Sequence, residues 1–404
     1  MGRGKGLLSF LTINIMQMKN SPVKLKSFFL RIMSLFTRCN TYSLLSTKED
    51  WIVTARRNYY NHLLTKKLQN SKQISSIEVD NIKKFWHTFH KNATKLFNLD
   101  WYSVYNKHKK ETDELLYYIP DDFYFCYFDT YFTNYHVSIE LDNKNMYDLY
   151  FHDINRPTTL VRKMNGILLN YAYAPIDIDY AVNLCILNND VIIKQAINSD
   201  GGKGIQFIND CALNKEELKR TLIELDNFII QKIIEQHQTL ASFNPQSVNT
   251  IRIMTFYWKN KPIVLSSVFR MGANGATVDN ASSGGVVCGI NKDGTLNEIA
   301  FDSKAKIYYT HPQGKRFKGT AIPSYQECIK IASELAVRFI NYSKLISWDF
   351  SVAKDGTPVL IEANFTGGGV NIHQMCNGPI FSELLNDILT EIFNNSKHIK
   401  QAIH

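Results

Sequence analysis

Between Gly6 and Pro120 the chain contains one proline, Pro22, and no glycine. Glycine and proline are the strongest local breakers of regular structure, so so long a stretch without them reads as helical. Apolar and aromatic residues recur there at mixed three- and four-residue spacing, as in Phe28, Phe29, Ile32, Leu35 and Phe36, with Lys and Arg between them. Residues 1–115 are therefore expected to be mostly helical. From about residue 120 the texture changes. Short β-rich runs appear at Phe123–Phe128, Thr158–Val161, Val191–Lys194, Gly204–Ile208, Phe228–Ile234, Ile251–Tyr257, Ile263–Phe269, Gly285–Ile290 and Val359–Ala363. Turn signals such as Asn260-Lys261-Pro262, Asp293-Gly294 and Asp355-Gly356 separate several of them. Helical stretches lie between, at Lys215–Asp226 and Tyr325–Tyr342. The alternation predicts an α+β body with mainly antiparallel sheets.

Charge divides the chain at the same place. Residues 1–110 hold 20 Lys+Arg against 5 Asp+Glu, a net +15, and the rest holds 26 against 32. A basic segment interleaved with aromatics suits an anionic membrane surface, and equally a solvated face. Nucleic acid is the weaker expectation, because no RNP, KH or helix-turn-helix signature is present. The apolar run Leu7–Met16 is ten residues long and interrupted by Ser9, Thr12 and Asn14. A membrane-spanning helix needs about 20 apolar residues, so the run reads as a non-cleaved, interfacial segment. The seven cysteines are widely spaced with no CxxC, which fits reduced thiols in a cytoplasmic protein. Hydrophobic residues at 45% and charged residues at 21% exclude a wholly disordered chain, a collagen and a coiled coil.

Two local patterns carry chemistry. Val191–Lys194 reads as a strand leading into Asn198-Ser199-Asp200-Gly201-Gly202-Lys203-Gly204 and then a second strand. Glycines there let backbone N–H groups approach phosphate oxygens, and Lys194 would supply charge from inside such a flap. The run is neither a Walker loop nor a Rossmann fingerprint, and on its own it equally describes an ordinary β-turn. The second pattern is a hairpin. Ser347–Val352 carries Asp349, a turn follows at Lys354–Thr357, and Val359–Asn364 carries Glu362 and Asn364. Glu362 and Asn364, two apart, project from one face of a strand, and pairing through the turn can bring Asp349 onto it. Asp, Glu and Asn oxygens are the ligand set that Mg²⁺ takes, with nucleotide phosphates completing the shell.

Together these elements resemble the ATP-grasp superfamily, and within it the sugar-transfer-associated ATP-grasp family found among polysaccharide genes. The resemblance covers about residues 155–380. It rests on Lys194 with Gly201-Gly202-Lys203-Gly204, Gln231–His237, Ser247–Arg252, Phe269–Gly272, Val278-Asp279-Asn280 with Gly284-Gly285, His311-Pro312, and Trp348-Asp349 through Glu362-Ala363-Asn364. Residues 1–115 have no counterpart in it. The resemblance implies a flap lobe at 186–235 and a C-terminal lobe with the metal site at 236–395, after a segment at 116–185. Gln231, Lys232, Ile233 and Ile234 would form the hinge beside adenine, with Glu235 or His237 at the ribose. Asp349, Glu362 and Asn364 would hold two Mg²⁺ ions. Lys194, Lys203 and a further lysine, for which Lys163 beside Arg162 is the candidate, would meet phosphate. Arg252 and Arg270 would contact phosphate, the acyl phosphate or the acceptor, although a charged residue on a β-branched strand is also served by a structural salt bridge. Asn249, Asp279, Asn280, Gly284 and Gly285 are expected at the substrate, and Gly367–Gly369, His373 and Gln374 near it.

The chemistry implied is ATP-dependent carboxylate–amine ligation through an acyl phosphate, with ADP and phosphate released. Its partners would be a small amine or amino acid and a sugar-linked carboxylate such as a uronic acid, at the inner membrane face. A phosphotransferase acting on a sugar hydroxyl, and a non-catalytic nucleotide-binding module, are the competing readings.

Overall fold

The computed structural model describes residues 49–197 and 204–403. The apolar run Leu7–Met16, Cys39 and the loop residues Gly201, Gly202 and Lys203 lie outside the described residues. Two antiparallel sheets organise the rest. The smaller has five strands in the order β2-β1-β5-β3-β4: β1 (Thr159–Met164), β2 (Ile167–Asn170), β3 (Val191–Gln195), β4 (Gln206–Ile208) and β5 (Phe228–Lys232). The segment expected to precede the flap thus contributes β1 and β2 to the same sheet as β3–β5. Helices α5 (Ile178–Ile186) and α6 (Lys215–Glu224) close one face of it over Val161, Val191, Ile193 and Ile230.

The larger sheet has seven strands in the order β10-β9-β8-β7-β6-β11-β12. They are β6 (Thr250–Trp258), β7 (Lys261–Met271), β8 (Val286–Ile290), β9 (Leu296–Phe301), β10 (Ile307–Tyr308), β11 (Leu345–Val352) and β12 (Pro358–Asn364). The β6–β7 turn is two residues, Lys259 and Asn260, at φ of 45° and 63°. That doubly left-handed turn matches the right-handed twist of the paired strands and fixes their register. On one face of the sheet, α7 (Tyr325–Arg338) buries Tyr325, Cys328, Ala332 and Leu335, a helical stripe.

The other face is covered by the N- and C-terminal helices together. α1 (Glu49–Lys67), α2 (Ser76–His87) and α3 (Asp100–His108) share one core with α8 (Asn371–Asn377), α9 (Leu385–Asn395) and α10 (Lys397–Ile403). α2 starts at a capping box, Ser75 with Glu78. Its Trp86 donates to the Tyr102 hydroxyl at 2.8 Å inside that core. α9 buries Leu385, Ile388, Leu389, Ile392 and Phe393, at the spacing an amphipathic helix requires.

One expected strand is a helix. Phe123–Phe128 lies within one helical run, α4, made of Asp121–Phe123, Tyr124–Phe128 and Asp129–Phe132, whose middle is π-helical. Every side chain from Phe123 to Phe128 is buried. A helix enclosed all round has no polar face, so it shows no 3.6-residue period, and its aromatic content mimics a strand. The six cysteines of the described residues are all free and buried. Among the described residues, no helix is long and apolar enough to cross a membrane.

Candidate active site

The strand order places charged side chains side by side. Arg252 on β6 is paired directly across from Asp349 on β11, which in turn is paired with Glu362 on β12. Arg270 on β7 pairs with Thr250, two residues from Arg252, and so joins the row diagonally. Arg252 Nε and Nη2 donate to the two oxygens of Asp349 at 2.7 and 2.6 Å, and Arg270 Nη1 donates to Oδ2 at 3.0 Å. Burial alone would raise the Asp349 pKa, but the two guanidinium groups more than offset it and hold the carboxyl below its usual value. Arg270 also donates to Asp279 at 3.3 Å, and Thr250 donates to Asp279. Burial still leaves the Asp279 carboxyl above its ordinary pKa, against the pull of Arg270.

Two lysines face this row. Lys194 is the last residue but one of β3, and its ammonium donates to Gln231 Oε1 at 3.1 Å. Burial, with repulsion from Lys144, lowers its pKa to about 8, against the pull of Glu362. Lys144 opens a short helical turn, Lys144–Met146, and donates to Glu362 Oε1 at 2.6 Å. The two sheets and these groups enclose one cleft of about 480 Å³. Ile192, Ile205 and Phe207 from the smaller sheet, with Ile234 and Ile361, give it an apolar side suited to a flat base. Lys144, Lys194, Arg252, Arg270, Asp279, Asn280, Asp349, Glu362 and Asn364 give it a polar one.

The donor set fits a magnesium nucleotide. Asp349 and Glu362 are adjacent across two strands, and Asn364 follows on the same face. Asn364 spends its amide N–H groups on Ser347 O at 3.3 Å and Asp349 Oδ2 at 3.5 Å, leaving its oxygen as the donor toward the cleft. Hard oxygen donors of this kind suit Mg²⁺ when phosphate oxygens complete the shell.

Other expected residues lie elsewhere. Lys163 is buried and donates to Leu222 O and Ile223 O at 2.9 and 3.0 Å, near the end of α6. Arg162 beside it is held by Asp148 at 2.5 Å and by Asn145 O at 2.7 Å. Neither lines the cleft; side chains alternate along β1, and both faces at that point are already committed to protein partners. Of the hinge residues, Ile234 lines the cleft, Gln231 is buried against Lys194, and Lys232 and Ile233 line a separate shallow groove. His237 caps a short helix by accepting from Thr239 N, and Glu235 pairs with Lys354 on the surface. Asn249 is fully buried: its amide donates to Leu240 O and Asn244 O, and its oxygen accepts from Ser247 and Gly272 N. It organises a loop rather than facing a substrate. Gly284 adopts φ 96° at the end of a helical turn, and a Cβ at Gly285 would stand 2.6 Å from Asp279 O. Both shape the loop that presents Asp279 and Asn280, and neither lines the cleft. Gly204, at φ 72°, closes on Gln195. His373 bonds Ser266 at 2.9 Å, and Gln374 brackets the Ile119 backbone. Both are buried supports.

Sequence reasoning missed Lys144 and a whole wall of the cleft. Lys144 had a faint signal, a lysine in the asparagine-rich turn Asn143-Lys144-Asn145. The wall has none. α1 contributes Arg56, Tyr59, Tyr60 and Leu63, and Phe125 and Tyr135 join them. Their nearness to Glu362, more than 200 residues on, comes from packing alone.

The sugar-transfer associated ATP-grasp family profile matches residues 129–390, well over half of the chain. No curated protein matches the chain. Among solved structures, it is similar to D-alanyl-alanine synthetase A from Vibrio cholerae, at 13% identity and a TM-score of 0.38, over 63% of this chain and 65% of that one. It is similar to the D-cycloserine synthetase DcsG at 12% identity and a TM-score of 0.38, over 62% and 71%. It is also similar to D-alanine–D-alanine ligase from Bacillus anthracis, at 16% identity and a TM-score of 0.34, over 64% and 69%. The chain spans just under two thirds of the first of these, 65% of its length. With a flap-like antiparallel sheet facing a charged strand row, and a family profile spanning both, the chain belongs to the sugar-transfer associated ATP-grasp family.

Proposed function

We propose that the protein is an ATP-dependent carboxylate–amine ligase acting on a sugar-linked carboxylate. The observation that carries this reading is the single cleft in which Lys144 and Lys194 face the row Arg270, Arg252, Asp349 and Glu362. Four cations around two adjacent carboxylates suit a polyphosphate bound with a divalent ion.

Adenine would lie between Ile192 and Phe207 on one side and Ile361 on the other. Phosphates would then extend toward the lysines. Asp349, Glu362 and Asn364 would hold Mg²⁺, which withdraws charge from the phosphate oxygens when bound. Within the cleft, the arginines neutralise Asp349 and Lys144 neutralises Glu362. These same cations are the groups that turn to phosphate oxygens when a nucleotide enters. Arg270 bonds both Asp349 and Asp279, so it stands between the metal-ligand pair and the loop that carries Asn280. It is placed to orient the carboxylate that attacks the γ-phosphorus. That attack forms the acyl–phosphate bond and releases ADP. A neutral amine then attacks the acyl carbon, the carbon–oxygen bond to phosphate breaks, and the amine's proton leaves with phosphate.

ADP release across sugar acids and amino acids tests the reading. Release that requires both carboxylate and amine, with hydroxylamine trapping an acyl hydroxamate, is expected. A stable phosphorylated sugar formed without any amine would replace the ligase with a phosphotransferase. The basic segment enters the proposal as a contact with anionic membrane: residues 1–48 hold 8 Lys+Arg and no Asp+Glu. Salt-sensitive co-sedimentation of the full chain with phosphatidylserine vesicles is expected, and its absence would remove the membrane from the reading.

A further inference from the structure

The family profile begins at residue 129, yet the cleft does not end there. Part of its wall comes from α1, which lies wholly upstream of the matched segment. That wall stands next to the metal-ligand strand. β12 ends at Asn364, and within five residues the chain passes beneath the helical run 121–132: Tyr124 donates to Gly368 O at 2.8 Å, and a Cβ at Gly369 would meet Phe125 at 3.8 Å. Asn371, also on the cleft, donates to the buried Asp121. Asp349, Glu362 and the α1 side chains therefore line one and the same cleft.

The chemistry of this wall is specific. Tyr60 stacks on Phe125 with ring centroids 4.1 Å apart and planes within 4°, so one ring face is used. Tyr59 meets Tyr60 edge-on at 5.2 Å, and both rings are half-buried at the cleft. Arg56, one turn before them, is 6% exposed. Its guanidinium lies over the Tyr135 ring at 5.1 Å, donates to Phe125 O at 3.4 Å and interacts through charge with the buried Asp129. The Tyr135 hydroxyl is in turn held by the buried Asp129. A guanidinium fixed among aromatic rings presents flat apolar surface and a planar positive group in one place. Pyranose rings offer a matching surface, since one face of the ring is lined by C–H bonds, and an acidic substituent matches the guanidinium.

We infer that α1 supplies the saccharide subsite: a pyranose ring lies on the Tyr59–Tyr60 face, and Arg56 reads an acidic substituent on that sugar. This rests on the ligase reading for its reaction but not for its binding. The helical segment upstream of the family region then selects the acceptor, while the matched region carries out the ATP chemistry.

Saturation-transfer NMR on the full chain with ADP·Mg²⁺ present tests it, with D-glucuronate and D-glucose as probes. Transfer to the ring protons of D-glucuronate is expected, with D-glucose weaker by about tenfold. Tyr59→Ala and Arg56→Lys should each reduce the glucuronate signal by about tenfold, while the ADP·Mg²⁺ dissociation constant stays within about twofold. Retained ADP·Mg²⁺ affinity shows that each variant is folded; if Arg56→Lys loses it, the half-buried Tyr59→Ala decides. No glucuronate signal in the wild type, equal signals from both sugars, or an unchanged signal in a folded Tyr59→Ala variant would overturn the subsite. The ligase reading fails separately, by absent ADP·Mg²⁺ binding or by absent hydroxamate.

Discussion

Arg252→Met tests whether the charge row is the keystone of the larger sheet's cleft edge. The substitution keeps the length of the side chain and removes both of its bonds to Asp349, at 2.7 and 2.6 Å. Asp349 is 2% exposed, so it cannot turn to water instead. Breaking a buried pair by deleting one partner costs about 3–5 kcal/mol when the other is left alone. Here Arg270 Nη1 remains at 3.0 Å, so roughly half of that, about 2 kcal/mol, is expected. The loss should depend on pH with a defined sign. The folded-state pKa of Asp349 is depressed, so its contribution is present above the unfolded value and is lost as pH falls through the folded one. The gap between wild type and variant is therefore full at pH 7 and narrows below about pH 4. Urea unfolding followed by tryptophan fluorescence at pH 7 and at pH 3 measures both. A loss under about 0.5 kcal/mol at pH 7, or a gap that is the same at both pH values, would refute the reasoning.

Glu362→Gln keeps the side-chain shape and removes the charge of one proposed metal ligand; ADP release should fall by about 100-fold or more with little change in unfolding temperature, read by a coupled ADP assay and a thermal scan. Lys144→Met should raise the KM for ATP by about tenfold, whereas Lys163→Met should leave KM alone and cost about 1–3 kcal/mol of stability by unpairing Leu222 O and Ile223 O; the reverse pattern would restore Lys163 as the phosphate lysine. Because the Lys194 pKa is lowered to about 8, its ammonium is lost as pH rises through that value, so ADP affinity measured by calorimetry should weaken between pH 7 and pH 9. Lys194→Arg should flatten that fall, since a guanidinium stays charged throughout.

The glycine-free, proline-poor stretch, the turn dipeptides and the alternating strands each express a local steric rule, and the α+β body with antiparallel sheets follows from them. The hairpin carrying Asp349, Glu362 and Asn364 was legible for the same reason: period-two geometry and a short turn fix which side chains share a face. Phe123–Phe128 was not, because a helix buried all round loses the periodicity that would mark it.

Partnership across the sheet was decided elsewhere. Nothing local to Arg252 distinguishes a phosphate ligand from an ion-pair partner; strand order β7-β6-β11-β12 sets it against Asp349. Nothing near Lys163 shows that its ammonium is taken by the end of α6, nor near Lys144 that it reaches Glu362, 218 residues away. The basic N-terminal segment depends most on tertiary structure. Its scarcity of glycine and proline agrees with the helices α1–α3 among its described residues, but its charge suggested only an attached basic surface. Packing against the helical run 121–132 and the C-terminal helices brought Arg56, Tyr59 and Tyr60 to the cleft. Backbone sterics act between near neighbours and are written in the sequence. A cleft forms between surfaces hundreds of residues apart, and only burial of a shared core fixes which surfaces meet.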